Sequence, residues 1–343
     1  MIGSPESLLR DRVPLIDLRA PLEFARGAFP HAVNLPLLSD AERRDVGNIY
    51  KQSGQQAAIE CGNRLVSGAA KLDRIARWTK FIDRHPDAWL YCWRGGLRSV
   101  ITQSWLKDVG YEIPRVAGGY KTLRQTCLQV LASAPRNTTQ WLVLAGRTGT
   151  GKTVVINTLG NAIDLEDLAN HRGSSFGGHT SPQPTPIDFE NALAARYLRH
   201  TEATLVLEDE SRTIGRLALP ESWYHRMSEA PLVVLEASIE ARAEHIRCEY
   251  VEHPLSRGEM SGELQTRLTA ALDRIQKRLG GDRHRQVHDA MTAGFDNGEH
   301  GRWIGMLLEW YYDPMYDYQL QGKRSRIVFR GDRAAVTDYL QSQ

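Results

Sequence analysis

Two short segments of this 343-residue chain combine residue types that bind and transfer charged groups. Residues 92–99 read Cys-Trp-Arg-Gly-Gly-Leu-Arg-Ser, and residues 146–153 read Gly-Arg-Thr-Gly-Thr-Gly-Lys-Thr. The first places a cysteine at the start of a loop that contains glycine and arginine. The second has the Gly-x4-Gly-Lys-Thr spacing of a phosphate-binding loop. The sequence therefore predicts one loop that carries a reactive sulfur and another that binds a diphosphate or triphosphate.

Cys92 is predicted to be nucleophilic because of its position and its neighbours. A strand is expected to end at Cys92 and a helix to follow it, so that backbone N–H groups and the positive end of the helix dipole face the sulfur. Arg94 and Arg98 add positive charge, which favours the thiolate over the thiol. Gly95 and Gly96 let the backbone approach a bound anion closely. The same loop would stabilise a terminal persulfide or perselenide anion.

The phosphate loop is predicted to bind phosphate oxygens through the backbone N–H groups of residues 149–153 and the charge of Lys152. Thr153 would bind Mg²⁺ if a metal accompanies the substrate. Glu208 or Asp209, at the end of an acidic second strand, would hold that metal through water. The motif indicates a bound phosphate group rather than hydrolysis, so the use of ATP stays open. The residues predicted to bind diphosphate are Gly146, Arg147, Thr148, Gly149, Thr150, Gly151, Lys152 and Thr153.

Alternating apolar runs and helical patterns predict an α/β fold with parallel strands in both halves of the chain. The predicted domains are residues 1–134 and 135–343, joined through a polar linker at 133–140. Strands are expected at 13–18, 88–92, 114–116, 141–145, 204–207 and 232–235, and helices at 64–82, 98–109, 240–250 and 264–279, with another from 152 onward. Leu72 is expected on the apolar face of the first of these helices.

Two further segments are candidates for substrate contacts. Residues 171–186 are rich in Gly, Ser, Thr and Pro and are predicted to form a lid, in which Arg172 could clamp a diphosphate. Residues 310–318 are densely aromatic, which is typical of a core but would also suit a hydrocarbon chain or stacked bases. Asp209 and Arg212 are further candidate contacts.

Composition restricts the class of protein. No apolar run reaches the ~18 residues of a membrane span, and the N-terminus does not resemble a signal peptide. Cysteines 61, 92, 127 and 248 form no metal-ligand spacing, which indicates a reducing cytoplasm with at least one working thiol. Cys61, Cys127 and Cys248 are expected to be buried structural cysteines, and Cys92 to be the working thiol. Residues 1–135 carry 19 basic and 13 acidic side chains, whereas the remainder carries 24 and 28, so a polyanion would be attracted to the first half.

The first half resembles a rhodanese domain. The segments 15–19 and 23–34, the loop at Cys92 and the run 116–120 (Val-Ala-Gly-Gly-Tyr) carry this resemblance. The spacing Cys-x5-Arg is one residue longer than the Cys-x-x-Gly-x-Arg of many single-domain rhodaneses. It equals the spacing of cysteine-dependent phosphatases, so the loop alone leaves a phosphatase role open.

A rhodanese-like domain followed by a P-loop NTPase-like α/β domain closely resembles the bacterial tRNA 2-selenouridine synthase family. Further matches are residues 50–58 with Gly62 after them, residues 171–177 and residues 311–314. The resemblance implies a cytoplasmic transferase that acts on wobble 2-thiouridine in the anticodon arm of tRNA. Geranyl diphosphate would alkylate the sulfur, and selenium from selenophosphate, carried by Cys92, would then replace the S-geranyl group.

The same resemblance implies no tightly bound cofactor and no resident metal, with Mg²⁺ as an ion that could accompany the diphosphate. Gly62, Arg172, Asp209 and Arg212 would contact substrate, and the enzyme that makes selenophosphate is a candidate partner. Three alternatives remain open: an ATP-dependent RNA or nucleotide kinase fused to a sulfurtransferase domain, a non-catalytic persulfide relay, and the phosphatase.

Overall fold

The computed structural model describes residues 3–343. The helices are α1 Pro5–Arg10, α2 Pro21–Phe24, α3 Asp40–Leu65, α4 Gly68–Arg84, α5 Leu97–Lys107, α6 Gly119–Ser133, α7 Lys152–Thr158, α8 Leu165–Ala169, α9 Pro186–Leu198, α10 Glu221–Glu229, α11 Ile239–Arg247, α12 His253–Ser256, α13 Ser261–Leu279, α14 Gly281–Asn297, α15 Gly301–Leu307, α16 Asp313–Gln321 and α17 Arg333–Gln341. The strands are β1 Leu15–Asp17, β2 Ala32–Asn34, β3 Trp89–Tyr91, β4 Gln140–Gly146, β5 Ala162–Ile163, β6 Thr204–Glu208, β7 Thr213–Ile214, β8 Leu217–Ala218, β9 Leu232–Leu235 and β10 Ile327–Gly331. Shorter turns are 3₁₀ at Ala134–Arg136 and Arg324–Arg326, and π-helical at Cys248–Glu252 and Leu308–Tyr312.

The chain divides into two compact units. The first unit contains the residues up to Ala134 together with Pro184–Arg199. The second unit contains Pro135–Gln183 and His200–Gln343. This division differs from the predicted boundaries in one segment, because α9 belongs to the first unit. Asn191 Nδ2 on α9 donates a hydrogen bond of 2.6 Å to the carbonyl oxygen of Ala28, and both groups are buried. Such a long-range anchor leaves no local trace in the sequence.

The first unit contains a parallel sheet with the strand order β2-β1-β3. All residues of β1 are buried, which is typical of parallel strands covered by helices on both faces. Trp78 on α4 is buried in the same core and donates its indole N–H to the carbonyl oxygen of Leu35 at 2.9 Å. The strand predicted at 114–116 is reduced to one parallel bridge, from Leu90 to Arg115.

The second unit contains a parallel sheet with the order β10-β9-β4-β6-β5. Leu144 of β4 and Glu208 of β6 are paired in register, so the carboxyl ends of these two strands lie side by side at one edge of the sheet. This edge is where parallel α/β sheets place their ligands. Helices α11 and α13–α15 build a separate apolar cluster that includes Leu272 and Trp303.

The predicted fold class, α/β with parallel sheets, is confirmed. The strands predicted at 141–145, 204–207 and 232–235 are β4, β6 and β9, and the helix predicted at 264–279 is α13. The linker prediction at 133–140 is wrong for most of its length, since α6, a 3₁₀ turn and the start of β4 occupy all but residues 137–139.

The helix predicted over 64–82 is wrong at its start. Val66 leaves the helical region (φ −105°, ψ 69°), so α3 ends before it and α4 begins after it. Leu72, which the predicted apolar face included, is 67% exposed, whereas Trp78 is buried. Helix α3 was not predicted; it is polar and is interrupted at Gly54 (φ 81°, ψ −173°).

No helix within residues 3–343 has the length and apolarity needed to cross a membrane. The four cysteines are free thiols. Cys61 and Cys127 are buried, as predicted, but Cys248 is half-buried because it begins the π-helical turn on the surface of the helical cluster.

Candidate functional site

Cys92 lies directly after β3 and four residues before the N-cap residue of α5, Gly96. The predicted strand–loop–helix arrangement is therefore confirmed. The Cys92 residue is only 3% exposed, and its Sγ lies 3.9 Å from the carbonyl oxygen of Gly96. The carbonyl oxygens of Cys92 and Trp93 accept hydrogen bonds from the N–H groups of Tyr120 and Lys121, at 2.8 and 3.1 Å. The start of α6 thus holds the loop in place.

Close backbone packing behind the loop requires glycine. Gly95 and Gly119 have φ values of 64° and 58°, in the left-handed region. A Cβ atom on Gly119 would lie 2.2 Å from the carbonyl oxygen of Cys92, and one on Gly95 would lie 2.9 Å from the nitrogen of Gly118. Gly96 has nothing within 4 Å of its corresponding position, so a ligand could approach the loop there.

The two loop arginines have different surroundings. Arg98 Nη1 donates to Glu23 Oε2 at 2.7 Å, and Arg43 Nε lies 3.4 Å from the other oxygen of this carboxylate. Burial raises the pKa of Glu23, but the hydrogen bond from Arg98 and the nearby positive charges lower it by more, so it lies below its ordinary value. Arg94 is exposed at the mouth of a cavity that Cys92 also lines. The charge of Arg98 is therefore shared with a carboxylate, whereas Arg94 is exposed.

Trp93, beside the nucleophile, contacts one aromatic ring and one buried arginine. The Trp93 ring stacks on Tyr120 with centroids 5.0 Å apart, and the guanidinium of Arg19 lies 3.8 Å from the centroid of Tyr120. Arg19 is fully buried and donates to Asp17 Oδ2 at 2.7 Å. The guanidinium of Arg19 also lies 5.9 Å from the Trp93 ring, so Trp93 is held by both neighbours, and 40% of the residue is exposed.

The cavity at Cys92 has a volume of about 810 Å³. It lies between α5 and α3, and most of its wall is apolar. Gly62, a predicted substrate contact, lines it, and a Cβ atom at Gly62 would meet only Val46 Cγ2, at 3.8 Å. Apolar wall residues include Leu37, Leu38, Ala58, Ile59, Val66, Leu97, Ile101 and Trp105, and basic residues at the cavity are Arg43, Arg44, Lys51, Arg94 and Arg98.

The phosphate loop connects β4 to α7, as predicted. Gly149 and Gly151 have φ values of 85° and 83°. A Cβ atom on Gly149 would lie 2.8 Å from the carbonyl oxygen of Arg242, and one on Gly146 would lie 2.7 Å from Thr150 Oγ1. Glycine at these positions is thus required by the conformation and by the close packing of the loop.

Carboxylates surround the half-buried Lys152. Its Nζ donates to the carbonyl oxygen of Gly146 at 3.3 Å. Burial lowers the pKa of Lys152, but Glu166, Glu210 and Glu208 raise it by more, so the net shift is upward. Burial and the negative charge of Glu166 raise the pKa of Glu208 well above its ordinary value, and raise that of Glu210 to about 8. Acidic groups therefore outnumber the single cation Lys152 at this loop.

Thr153 lies between two of these carboxylates. Its Oγ1 is 3.4 Å from both Glu166 Oε2 and Glu208 Oε1. Asp209, the other predicted metal-binding residue, accepts two hydrogen bonds of 2.7 Å from Lys323 Nζ. Within residues 3–343 no group of three or more His, Cys, Asp or Glu side chains has the arrangement of a metal site. Two carboxylates and a hydroxyl nevertheless fit Mg²⁺ where phosphate oxygens and water supply the other ligands.

Two arginines, Arg147 and Arg242, hold the phosphate loop in place through ion pairs and hydrogen bonds. Arg147 Nη2 donates to both oxygens of Asp317, each at 2.7 Å. Arg242, which is 1% exposed, donates from Nε to the carbonyl oxygen of Thr148 at 2.9 Å and from Nη1 to Asp313 Oδ2 at 3.0 Å. Arg147 therefore pairs with a carboxylate of α16. The contact of Arg242 with the loop was not predicted, because Arg242 lies 94 positions from Thr148.

A cavity of about 880 Å³ opens above the phosphate loop. Arg172 lines it, as does Asp209; the guanidinium of Arg172 lies 4.9 Å from the centroid of Tyr250 and 3.4 Å from Glu249 Oε2. Arg212 lies in an exposed turn and is not part of the cavity wall. Residues that sequence reasoning missed here are Glu166, Glu210 and Tyr250, which become neighbours of the loop only through the fold.

Both π-helical turns supply aromatic side chains to this cavity. Tyr250 comes from the turn Cys248–Glu252, and Tyr311 and Tyr312 come from the turn Leu308–Tyr312. Met315, on α16, extends the same wall. The aromatic segment therefore contributes both to the apolar core and to the surface of the phosphate-loop cavity.

Known proteins of one family match nearly the whole of this chain, including both loops. The family profile described as "tRNA 2-selenouridine synthase AAA domain" matches residues 139–343. A protein of Marinobacter nauticus named tRNA 2-selenouridine synthase is 49% identical, over 98% of this chain and 96% of its own length. Proteins with the same name from Cupriavidus pinatubonensis and Shewanella frigidimarina are 49% and 45% identical, over 99% and 97% of this chain and 98% and 95% of their own. This chain belongs to the tRNA 2-selenouridine synthase family.

Membership of the tRNA 2-selenouridine synthase family confirms the resemblance inferred from the two loops. The matches to the named relatives extend over nearly the whole chain. A solved structure, the N-terminal domain of a putative ATP/GTP binding protein from Clostridium difficile 630, is 31% identical and covers 34% of this chain and 89% of its own, with a TM-score of 0.32. At that score the two folds are not shown to be the same.

Proposed function

We propose that this protein converts wobble 2-thiouridine of tRNA to 2-selenouridine in two steps, with geranyl diphosphate and selenophosphate as co-substrates. Family membership supports the coarser statement, a tRNA-modifying enzyme. The observation that carries the two-step proposal is the presence of two chemically different anion loops. One holds a cysteine beside an apolar cavity, and the other holds a lysine among carboxylates.

In the first step, the phosphate loop binds the diphosphate of geranyl diphosphate. Loop N–H groups and Lys152 contact its oxygens, and the chain lies along the wall formed by Tyr250, Tyr311 and Tyr312. The thiouridine sulfur forms a bond to the first carbon of the geranyl group, while the carbon–oxygen bond breaks and diphosphate leaves with the electron pair. Thr153 and Glu208 would hold Mg²⁺, which would neutralise part of the charge of this leaving group.

In the second step, the thiolate of Cys92 attacks the selenium of selenophosphate. The Se–P bond breaks and phosphorus leaves with the electron pair as phosphite, so that Sγ carries a terminal perselenide anion. This use of the loop is rhodanese-like. Alkylation comes first because a thiocarbonyl sulfur is a poor leaving group, whereas an S-geranyl sulfur leaves C2 of the base as a thiolate. The perselenide selenium bonds to C2 as that thiolate departs. An added thiol then attacks Sγ, so that the Se–Sγ bond breaks, 2-selenouridine leaves and a mixed disulfide with the added thiol remains on Cys92. The exposed Arg94 and the open side of Gly96 admit the small anionic donor.

The anticodon arm of tRNA is the proposed macromolecular substrate. Residues 1–135 carry an excess of basic side chains, and Arg43, Arg44 and Lys51 are exposed beside the Cys92 cavity. Such cations position a phosphodiester backbone without reading its sequence. The enzyme that produces selenophosphate is a proposed donor partner, and free thiols together with a tRNA substrate support a cytoplasmic location.

Nucleoside mass spectrometry of thiolated tRNA tests this function. With geranyl diphosphate alone we expect S-geranyl-2-thiouridine, and with selenophosphate and thiol added next we expect 2-selenouridine. If neither reaction changes the mass of the thiolated nucleoside, the proposal is contradicted and a persulfide relay is favoured. Dependence on ATP in place of geranyl diphosphate would favour the kinase, and phosphate release from an aryl phosphate that needs Cys92 would favour the phosphatase.

A further inference from the structure

We infer that the cavity beside Cys92 binds the prenyl chain of the prenylated base during the selenium-transfer step. This inference rests on the proposed function and adds a second apolar subsite, in the first unit, to the aromatic wall of the second. The chain would occupy one site as part of the diphosphate donor and the other after it has been transferred to the base.

The size and lining of the cavity exceed what a small anionic donor needs. Its volume of about 810 Å³ lies within the ~300–1,000 Å³ typical of small-molecule sites. Leu97 and Trp93, immediately beside the nucleophile, are 44% and 40% exposed. Selenophosphate requires N–H groups and cations, and it gains nothing from apolar walls such as Ile59 and Trp105. The lining therefore matches a hydrocarbon.

The distribution of charge identifies what the hydrocarbon is attached to. Apolar residues line the wall, whereas Arg43, Arg44, Lys51 and Arg94 are exposed side chains that border the same cavity. A ligand with an apolar group and phosphodiester groups satisfies both parts, which is the chemistry of a prenylated nucleotide within RNA. Cys92 lines this cavity too, so the C2–sulfur bond of such a ligand is within reach of the selenium carrier.

Two positions allow the cavity to be altered without changing the loop. Ile59 is half-buried on α3, and a glutamate there would put a charge against the hydrocarbon. Gly62 is also on α3, and a leucine there would fill part of the cavity, since a Cβ atom meets only Val46 at 3.8 Å. Gly62→Leu should not lower the thermal midpoint, because leucine favours a helix more than glycine does. Leu72→Glu is the matched control, since Leu72 is 67% exposed and outside the cavity.

The test measures binding of synthetic anticodon stem-loop RNAs that carry S-geranyl, S-dimethylallyl or S-methyl 2-thiouridine at the wobble position. The Cys92→Ala protein is used, so that no chemistry occurs. We expect the geranyl RNA to bind at least ~100-fold more tightly than the methyl RNA, because it buries several more carbons. Ile59→Glu should reduce that preference at least ~10-fold. Gly62→Leu should weaken geranyl binding while retaining dimethylallyl binding, and Leu72→Glu should behave like the parent.

Equal binding of the geranyl and methyl RNAs, or an unchanged geranyl preference in both Ile59→Glu and Gly62→Leu, would overturn the inference. The proposed function is judged separately by selenation of the geranyl RNA with the wild-type protein. Selenation without a geranyl preference contradicts only the subsite. A preference that both cavity variants reduce, without selenation, supports the subsite and contradicts the function.

Discussion

The two anion loops share a backbone design but differ in the groups placed around it. At Cys92, a buried sulfur faces a largely apolar cavity, and one of the two loop arginines is paired with Glu23. At Lys152, three carboxylates surround the cation, and the aromatic wall lies further out. The first loop suits a small anionic donor next to a hydrocarbon, both brought to a nucleophile. The second suits a polyanion that arrives with a metal.

This difference teaches that a loop motif specifies where an anion can bind but not how much charge the site accepts. Glycine and the helix start create the N–H cradle in both cases. The net charge is then set by side chains far away in sequence, Glu23 for one loop and Glu166, Glu208 and Glu210 for the other. The following variants test that separation.

The largest expected effect is that of Cys92→Ala. Selenation should fall to background because the atom that carries selenium is removed, while geranylation should stay within about twofold of the parent, since no atom of the phosphate loop changes. Nucleoside mass spectrometry after each step measures both products. Cys127→Ser serves as the control: this thiol is buried away from the loop, and burial raises its pKa to about 12. Selenouridine formed by Cys92→Ala would refute the role of Cys92.

Lys152→Ala should produce the reciprocal defect. Geranylation should drop by ~10²–10³-fold, as for loss of a charged group that stabilises a leaving anion, while selenation of RNA that already carries the geranyl group is preserved. Lys277→Ala, at an exposed position on α13, should leave both steps unchanged. Loss of both steps in Lys152→Ala, with an unchanged thermal midpoint, would contradict the assignment of geranylation to the phosphate loop and of selenation to the Cys92 loop.

A smaller change is expected when Arg98 is released from its carboxylate. Glu23→Gln retains the shape of the side chain but removes its charge, so the Cys92 loop becomes more positive. The KM for selenophosphate should fall by roughly 3–10-fold, which corresponds to ~1 kcal/mol for a partly buried ion pair. The KM for geranyl diphosphate should not move. A rise in the selenophosphate KM would mean that Glu23 mainly positions Arg98 for binding.

The smallest effect concerns stability and pH. The pKa of Glu210 is about 8, above its ordinary value of 4.5, so the folded state holds a proton that the unfolded state releases between these pH values. Its contribution therefore becomes more unfavourable as pH rises from about 4.5 to about 8. Glu210→Gln should raise Tm by ~2–4 °C at pH 8.5 and by less at pH 5.5, which calorimetry at the two pH values would show. An equal gain at both values would exclude ionisation as the cause.

The parts of the structure that were predictable are those encoded by neighbouring residues. The phosphate loop and the Cys92 loop are contiguous motifs flanked by a strand and a helix, and both flanks appear where expected. Strands β4, β6 and β9 are continuous apolar runs that a parallel sheet buries on both faces. Arg94, Gly95 and Lys152 could therefore be named before the fold was known.

The parts that were not predictable depend on residues brought together by the fold. Glu166 reaches Thr153 only because β5 and β6 pair, and Glu23 meets Arg98 across 75 positions. Leu72 fitted the apolar period but lies in the first turns of α4 and is exposed, whereas Ile75 and Trp78 further along the helix reach the core. Helix α3 has hardly any apolar periodicity and is broken at Gly54, so the helix itself was not predicted. Only the family-like residues 50–58 and Gly62 pointed to this segment, and they line the Cys92 cavity in part.

The π-helical turns make the positions of the tyrosines in the phosphate-loop cavity depend on the number of residues in each turn as well as on side-chain identity. In each turn the backbone hydrogen bonds join residues five positions apart, one more than in an α-helix. Removing a single residue from Cys248–Glu252 would restore regular winding and rotate everything beyond it by ~100° about the helix axis. Tyr250 would then turn away from Arg172 although every contact residue was still present in the sequence. One-residue deletions in these two turns should therefore be far more harmful than substitutions of the residues that flank them.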